Sequence, residues 1–263
     1  MPDAVKKKLR VLDLFSGIGG FSLGLERTGG FETVAFCEIE KFPRSILRKH
    51  WPDVPCYADV TELTRDVLDN DSITVDVITG GFPCQDISVA GRQAGIGEGT
   101  RSGLWSEIAR LVGELRPEYV IVENVAALLA GPKSKPGGWF GRILGDLAER
   151  GYDAEWENIP AAAMGASHRR ERIWLVAYTQ REGRQRLISH NGLFGRQTAK
   201  YAFAGDGSAP RGSALVSSLL PLRTGDGVSL ALDRLKLKAC GNAVFPPIPE
   251  LIGRAILMHE AGL

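Results

Sequence analysis

Short, nearly uninterrupted runs of Val, Ile and Leu recur along most of this chain, separated by stretches of helical periodicity. A strand buried on both faces reads as a continuous apolar run, and parallel strands need a crossover, usually a helix, to bring the chain back. The alternation therefore predicts an α/β fold, a doubly wound sheet with helices on both faces. Strands are predicted at 11–15, 33–38, 75–79, 119–122 and 172–176. Helices are predicted at 21–27, 42–50, 104–115, 143–149 and 249–259. With 263 residues, 44% of them apolar, the chain can bury one large core with a small appendage.

The pattern breaks after Tyr178. From Thr179 to about Asp226 the chain is rich in Gly, Ser and Arg and has no clear period. Arg181, Arg184, Arg186, Arg196, Lys200 and Arg211 outweigh Glu182 and Asp206 there, although the whole chain carries a net charge of only +1. A solvated loop and a small basic module facing a polyanion both fit this stretch. No apolar run is long enough to span a bilayer, and Met1 to Lys8 resembles neither a signal peptide nor an anchor, so no membrane partner is expected. The four cysteines, Cys37, Cys56, Cys84 and Cys240, lack metal-ligand spacing, so no metal site is expected. A reducing cytoplasm suits them and would keep a reactive thiol available.

In doubly wound sheets the loops at the carboxyl ends of strands line the ligand crevice; four such places carry reactive residue types, and a fifth segment precedes a strand. Thr79-Gly80-Gly81-Phe82-Pro83-Cys84-Gln85 puts a thiol just after a buried strand, with two glycines ending the strand and a proline fixing the backbone before the sulfur. Asp13-Leu14-Phe15-Ser16-Gly17-Ile18-Gly19-Gly20 links the first strand to a helix, and Ser22 stands where a dinucleotide fingerprint would have its third glycine. Glu38, about twenty residues on, is placed for ribose hydroxyls. Glu123-Asn124-Val125 ends another strand, where a carboxyl group could bond or protonate a ring nitrogen. In His168-Arg169-Arg170-Glu171-Arg172, Arg170 and Arg172 fall on the same side of an extended segment and suit a carbonyl oxygen or a phosphate.

Together and in order, these segments resemble the cytosine-5 DNA methyltransferases. The resemblance implies S-adenosylmethionine as cofactor, held by Phe15, Ser16, Gly17, Gly19, Gly20, Glu38, Ile39, Asp59 and Leu104. Asn242 and Ala243 join them through Gly241-Asn242-Ala243-Val244, which is similar to the family's last motif. It implies Cys84 as the nucleophile that adds to carbon 6 of a flipped cytosine, with Glu123, Arg170 and Arg172 as the other catalytic groups. Phe82, Pro83, Gln85, Ser88, Asn124 and His168 would face substrate or DNA, and 88–101 would be a closing loop. Double-stranded DNA is the implied partner, with a cognate restriction enzyme as a further one and a monomer as the expected state.

Two departures from the family pattern stand out. His168 replaces the family's usual Gln, and only about 60 residues separate Val176 from Gly241, where the family carries a large target-recognition region. Shortened forms of this kind resemble phage and prophage members. The division expected is 1–178 for catalysis and cofactor, 179–234 for target recognition and 235–263 for a segment returning to the catalytic domain. Rival readings are a relative acting on tRNA, a non-catalytic cofactor- or DNA-binding regulator, and a nucleotide-dependent oxidoreductase, which Ser22 argues against.

Overall fold

The computed structural model describes residues 7–83, 101–131, 137–166, 170–179 and 230–261. Its centre is a seven-stranded sheet in the order β3-β2-β1-β4-β5-β7-β6. The strands are β1 (Leu9–Leu14), β2 (Phe31–Cys37), β3 (Cys56–Tyr57), β4 (Val77–Gly80), β5 (Tyr119–Val125), β6 (Tyr152–Pro160) and β7 (Glu171–Thr179). The described helices are α1 (Gly20–Glu26), α2 (Lys41–His50), α3 (Arg65–Asn70), α4 (Trp105–Leu115), α5 (Gly138–Ala148), α6 (Leu230–Asn242) and α7 (Pro247–Glu260).

Side chains alternate between the two faces of each central strand, and both faces are apolar. Leu12, Leu14, Ile78, Val120, Val122, Ile173 and Leu175 pack with residues of α3, α4 and α5. Val11, Val77, Tyr119, Ile121, Trp174 and Val176 pack with Phe21 and Leu25 of α1 and with Ile248, Ile252 and Ile256 of α7. Burial on both faces is why these strands read as unbroken apolar runs. The neighbours from β3 to β5 pair in parallel, as expected. β7 departs from the expected direction and pairs antiparallel with both β5 and β6. Only residues 161–170 join β6 to β7, which is too short for the crossover that parallel pairing requires.

The C-terminal segment closes the α1 face. A Cβ on Gly24 would lie 2.3 Å from the Pro246 carbonyl oxygen, and one on Gly20 would lie 2.4 Å from that of Val244. The two glycines thus let the backbone at the start of α7 lie directly on α1. After Thr179 the next described residues are those of α6, which begins at Leu230. Among the described residues, no helix is long and apolar enough to cross a membrane, and no group of three or more His, Cys, Asp or Glu side chains could hold a metal ion.

Candidate active site

The turn from β1 into α1 is built from unusual backbone. Phe15, Gly17 and Gly19 all have positive φ, at 52°, 53° and 85°. For Phe15, a bulky residue, this conformation is strained and must be held by its surroundings. Gly19 is required twice over, because a Cβ there would also lie 2.7 Å from the Trp51 ring. Ser16 anchors the turn to the neighbouring strand: its N–H donates to the Cys37 carbonyl at 3.2 Å, and its hydroxyl accepts from the Cys37 N–H at 3.2 Å. At Gly17, by contrast, a Cβ would meet nothing within 4 Å, so the turn faces open space.

Glu38 borders that space. Its carboxylate accepts the Gly17 N–H and the Glu40 N–H, each at 2.8 Å, one on each oxygen. Each oxygen keeps a second lone pair for a further donor. Burial pushes the Glu38 carboxyl upward in pKa, and the two N–H donors oppose this. Next to it Ile39 is 68% exposed, an apolar surface left uncovered at the mouth of the site. Asp59 lies in the turn after β3, where it accepts both the N–H and the hydroxyl of Thr61, and these bonds hold its carboxyl below the usual carboxylate range. Phe15 and Leu104 are half-buried and pack against the same core cluster.

The last described helices come back to the same turn. Ala243 packs with Ala239 of α6 against Ile18, and Asn242 beside it is exposed. Lys238 of α6 pairs with Glu40 at 2.7 Å.

The second half of the site lies where β4 and β5 end. Glu123 is 9% exposed, and its Oε1 lies 3.0 Å from the Nε of Arg172 on the adjacent strand. Burial raises its pKa above the ordinary carboxylate value, opposed by the charges of Arg172 and Arg170. Gly81 makes room for this group, since a Cβ there would lie 3.3 Å from Glu123 Oε2. Asn124 points to the opposite face of the sheet and is 2% exposed. Its side-chain N–H₂ donates to the Phe82 carbonyl at 3.0 Å, while its oxygen accepts the Val125 N–H. Phe82 is 3% exposed, with its ring 5.9 Å from that of Trp105. Phe82 and Asn124, expected to face substrate, are therefore inward-facing and brace the turn that continues through Pro83.

Arg170 also has a positive φ, 23°, and its Nη1 donates to the Gly241 carbonyl at 2.7 Å. It therefore ties the start of β7 to the end of α6, while Arg172 alone is ion-paired with Glu123 among the described contacts. Cys84, Gln85, Ser88, His168 and the basic stretch at 181–211 lie outside the described residues.

Sequence reasoning missed the buried group between the two halves. Asp13 is fully buried, and its two carboxylate oxygens accept the hydroxyls of Thr79 and Ser22, each at 2.8 Å. Ser22 had registered only as a missing glycine. An acidic residue at a buried strand end, followed nine residues later by a hydroxyl in the first helix, is the signal that was there to be read.

Comparison with known proteins bears on the same residues. The family model for C-5 cytosine-specific DNA methylase matches residues 9–202. The Type II methyltransferase M.Sau3AI of Staphylococcus aureus is 35% identical over 211 residues, which covers 71% of this chain and 50% of that protein. The Type II methyltransferase M2.BsuMI of Bacillus subtilis (strain 168) is 34% identical over 173 residues, covering 64% of this chain and 42% of its own length. This chain spans about half the length of the curated relatives it matches. The solved structure of the Entamoeba histolytica methyltransferase EhMeth superposes with a TM-score of 0.60 over 96% of this chain and 98% of that one; at 13% identity this speaks to the fold alone. A family match that runs through every strand of the sheet and through both strand ends carrying Glu123 and Arg172 means that this chain belongs to the C-5 cytosine-specific DNA methylase family.

Proposed function

We propose that this protein transfers a methyl group from S-adenosylmethionine to carbon 5 of cytosine in double-stranded DNA. The observation that carries the reading is the buried Glu123 carboxyl, ion-paired with Arg172 and set against Gly81, three residues before Cys84. The cofactor's fit is supported by the open space over Gly17, the free lone pairs of Glu38 and the exposed face of Ile39. Phe15, Ser16, Gly17, Gly19, Gly20, Glu38, Ile39, Asp59, Leu104, Asn242 and Ala243 would hold it. When bound, it supplies an electrophilic methyl group.

The protein's own residues would do the rest. Carbon 5 of cytosine is a poor nucleophile, and Cys84 corrects this by adding its thiolate to carbon 6. Glu123 bonds ring nitrogen N3 and the exocyclic amine; its raised pKa lets it hold a proton there as negative charge develops on the ring. Arg172 holds the base carbonyl and keeps Glu123 aligned. Asn124 and Phe82 fix the turn that presents Cys84. Once carbon 5 has taken the methyl group and lost its proton, Cys84 leaves as thiolate. A stacked base cannot reach this site, so the cytosine must be flipped out, with 88–101 as the closing loop.

On this reading 1–178 carries catalysis, 179–234 reads the target and 235–263 returns to the cofactor. The protein acts as a cytoplasmic monomer, with a cognate restriction enzyme as a functional partner. Methyl incorporation into duplex DNA and into tRNA tests the substrate: incorporation into the duplex alone is expected, and incorporation into tRNA alone would replace DNA with RNA.

A further inference from the structure

Asp13 takes no part in the mechanism above, yet it sits directly beneath the site. It is in register with Thr79 across the β1–β4 pair, and both side chains point to the α1 face. Two residues after Thr79, just past the end of β4, comes Gly81, against which Glu123 rests. Ser22, the third member, belongs to α1, the helix that the cofactor turn opens into. The backbone carbonyl of Asp13 accepts the hydroxyl of Ser16, so the same residue also touches the turn itself. Asp13, Ser22 and Thr79 are all fully buried, and each carboxylate oxygen accepts a hydroxyl, with the Ser22 N–H as a further donor to the carboxyl.

A carboxylate buried this deeply is costly, and apolar side chains of similar volume would fill the space without that cost. What apolar packing would not supply is direction. Two hydrogen bonds to one rigid carboxylate fix both α1 and β4 against β1.

We propose that Asp13 is a positioning residue that sets the cofactor turn against the turn leading to Cys84, so that cofactor binding and thiol placement depend on each other. The proposal rests on the function given above. It assigns the coupling to the Ser22–Asp13–Thr79 bridge, with Ser22 on the cofactor side and Thr79 on the nucleophile side.

The test uses the full chain with Ser22→Ala, Thr79→Val, the double variant, and Asp13→Asn as the conservative replacement. Affinity for S-adenosylhomocysteine is measured by calorimetry. The rate of Cys84 alkylation is measured by mass spectrometry, with and without saturating S-adenosylhomocysteine. Coupling predicts cross-effects. Thr79→Val should weaken S-adenosylhomocysteine binding by about five- to tenfold, the scale of one hydrogen bond. Ser22→Ala should change the Cys84 alkylation rate several-fold even at saturating S-adenosylhomocysteine. The double variant should lose little more than the worse single one, because either loss already breaks the bridge. Asp13→Asn, which can still accept one hydroxyl and donate to the other, should stay within about threefold of wild type in both readouts. Effects confined to each variant's own side, or losses that multiply in the double variant, would overturn the proposal. Wild-type protein that fails to bind S-adenosylhomocysteine would instead sink the functional reading.

Discussion

Gly24→Ala puts the docking of the C-terminal segment to a quantitative test, because two ordinary rules predict opposite signs for it. Gly24 lies inside α1, and alanine is favoured over glycine in a helix interior by about 1 kcal/mol. Helix propensity alone therefore predicts stabilisation. A Cβ at this position, however, would lie 2.3 Å from the Pro246 oxygen, 2.9 Å from Pro249 Cβ and 3.0 Å from the Glu250 nitrogen. Backbone and a proline ring cannot rotate aside, so the clash is relieved only by moving α7 off α1. Overpacking of this kind costs roughly 1–3 kcal/mol and occasionally more. Subtracting the propensity gain leaves a net loss of up to about 2 kcal/mol, which lowers Tm by up to roughly 8 °C at 2–4 °C per kcal/mol. Gly145→Ala is the control: it lies in α5, exposed, with nothing within 4 Å of a Cβ, and should gain up to about 1 kcal/mol. Thermal melts of the two variants should move in opposite directions. S-adenosylhomocysteine binding should weaken only in Gly24→Ala, because the displaced segment carries Ala243 and Val244. A rise in Tm for Gly24→Ala equal to that for Gly145→Ala would refute the packing argument.

Three further outcomes are expected. Arg172→Ala removes one of the two charges that oppose the burial-driven rise in the Glu123 pKa, so that pKa rises further. The turnover rate should fall about a hundredfold, as on losing one preorganised charge partner. The high-pH limb of the rate profile should move to higher pH, and an unmoved limb would mean that Glu123 does not titrate in catalysis. Burial pushes the Asp13 carboxyl up to about 7 despite the Ser22 and Thr79 donors. The folded state therefore keeps a proton that the unfolded chain loses near pH 4, and stability falls as pH rises from about 4 to 7. Asp13→Asn removes this dependence, so its Tm relative to wild type should climb between pH 5 and pH 8; a constant gap would contradict the assignment. Neutralising Arg184, Arg186 and Arg196 together should weaken DNA binding and flatten the slope of log K against log salt by up to about 2.7, at about 0.9 per phosphate contact. An unchanged slope would remove that stretch from the DNA interface.

The parts of the fold that were legible are those whose burial is uniform. β1, β2, β4 and β5 are apolar on both faces, and composition alone locates them. β6 escaped notice because Asp153, Glu155, Glu157 and Asn158 interrupt it and its middle is exposed at the sheet edge. The beginning of α5 escaped because Gly138 and Gly141 dilute its apolar stripe. Strand direction carries no compositional signal, so the reversal of β7 followed only from the short connection before it. At the site, the glycine turn, Glu38, Glu123 and Arg172 came from local motifs, and the structure brings them into two adjoining halves. The part played by Asn124 was not legible, since its partner Phe82 lies 42 residues away in sequence. The Asp13 bridge was hidden for the same reason, its Thr79 partner being 66 residues distant.

The most direct test of the central claim is bisulfite sequencing of DNA from cells expressing the wild-type chain beside a Cys84→Ser control. The account predicts methylated cytosines with the wild-type chain and none with Cys84→Ser, while S-adenosylhomocysteine binding by the variant stays near wild type. Equal methylation by the two chains would contradict nucleophilic catalysis by Cys84, and its absence from both would contradict the proposed activity on DNA.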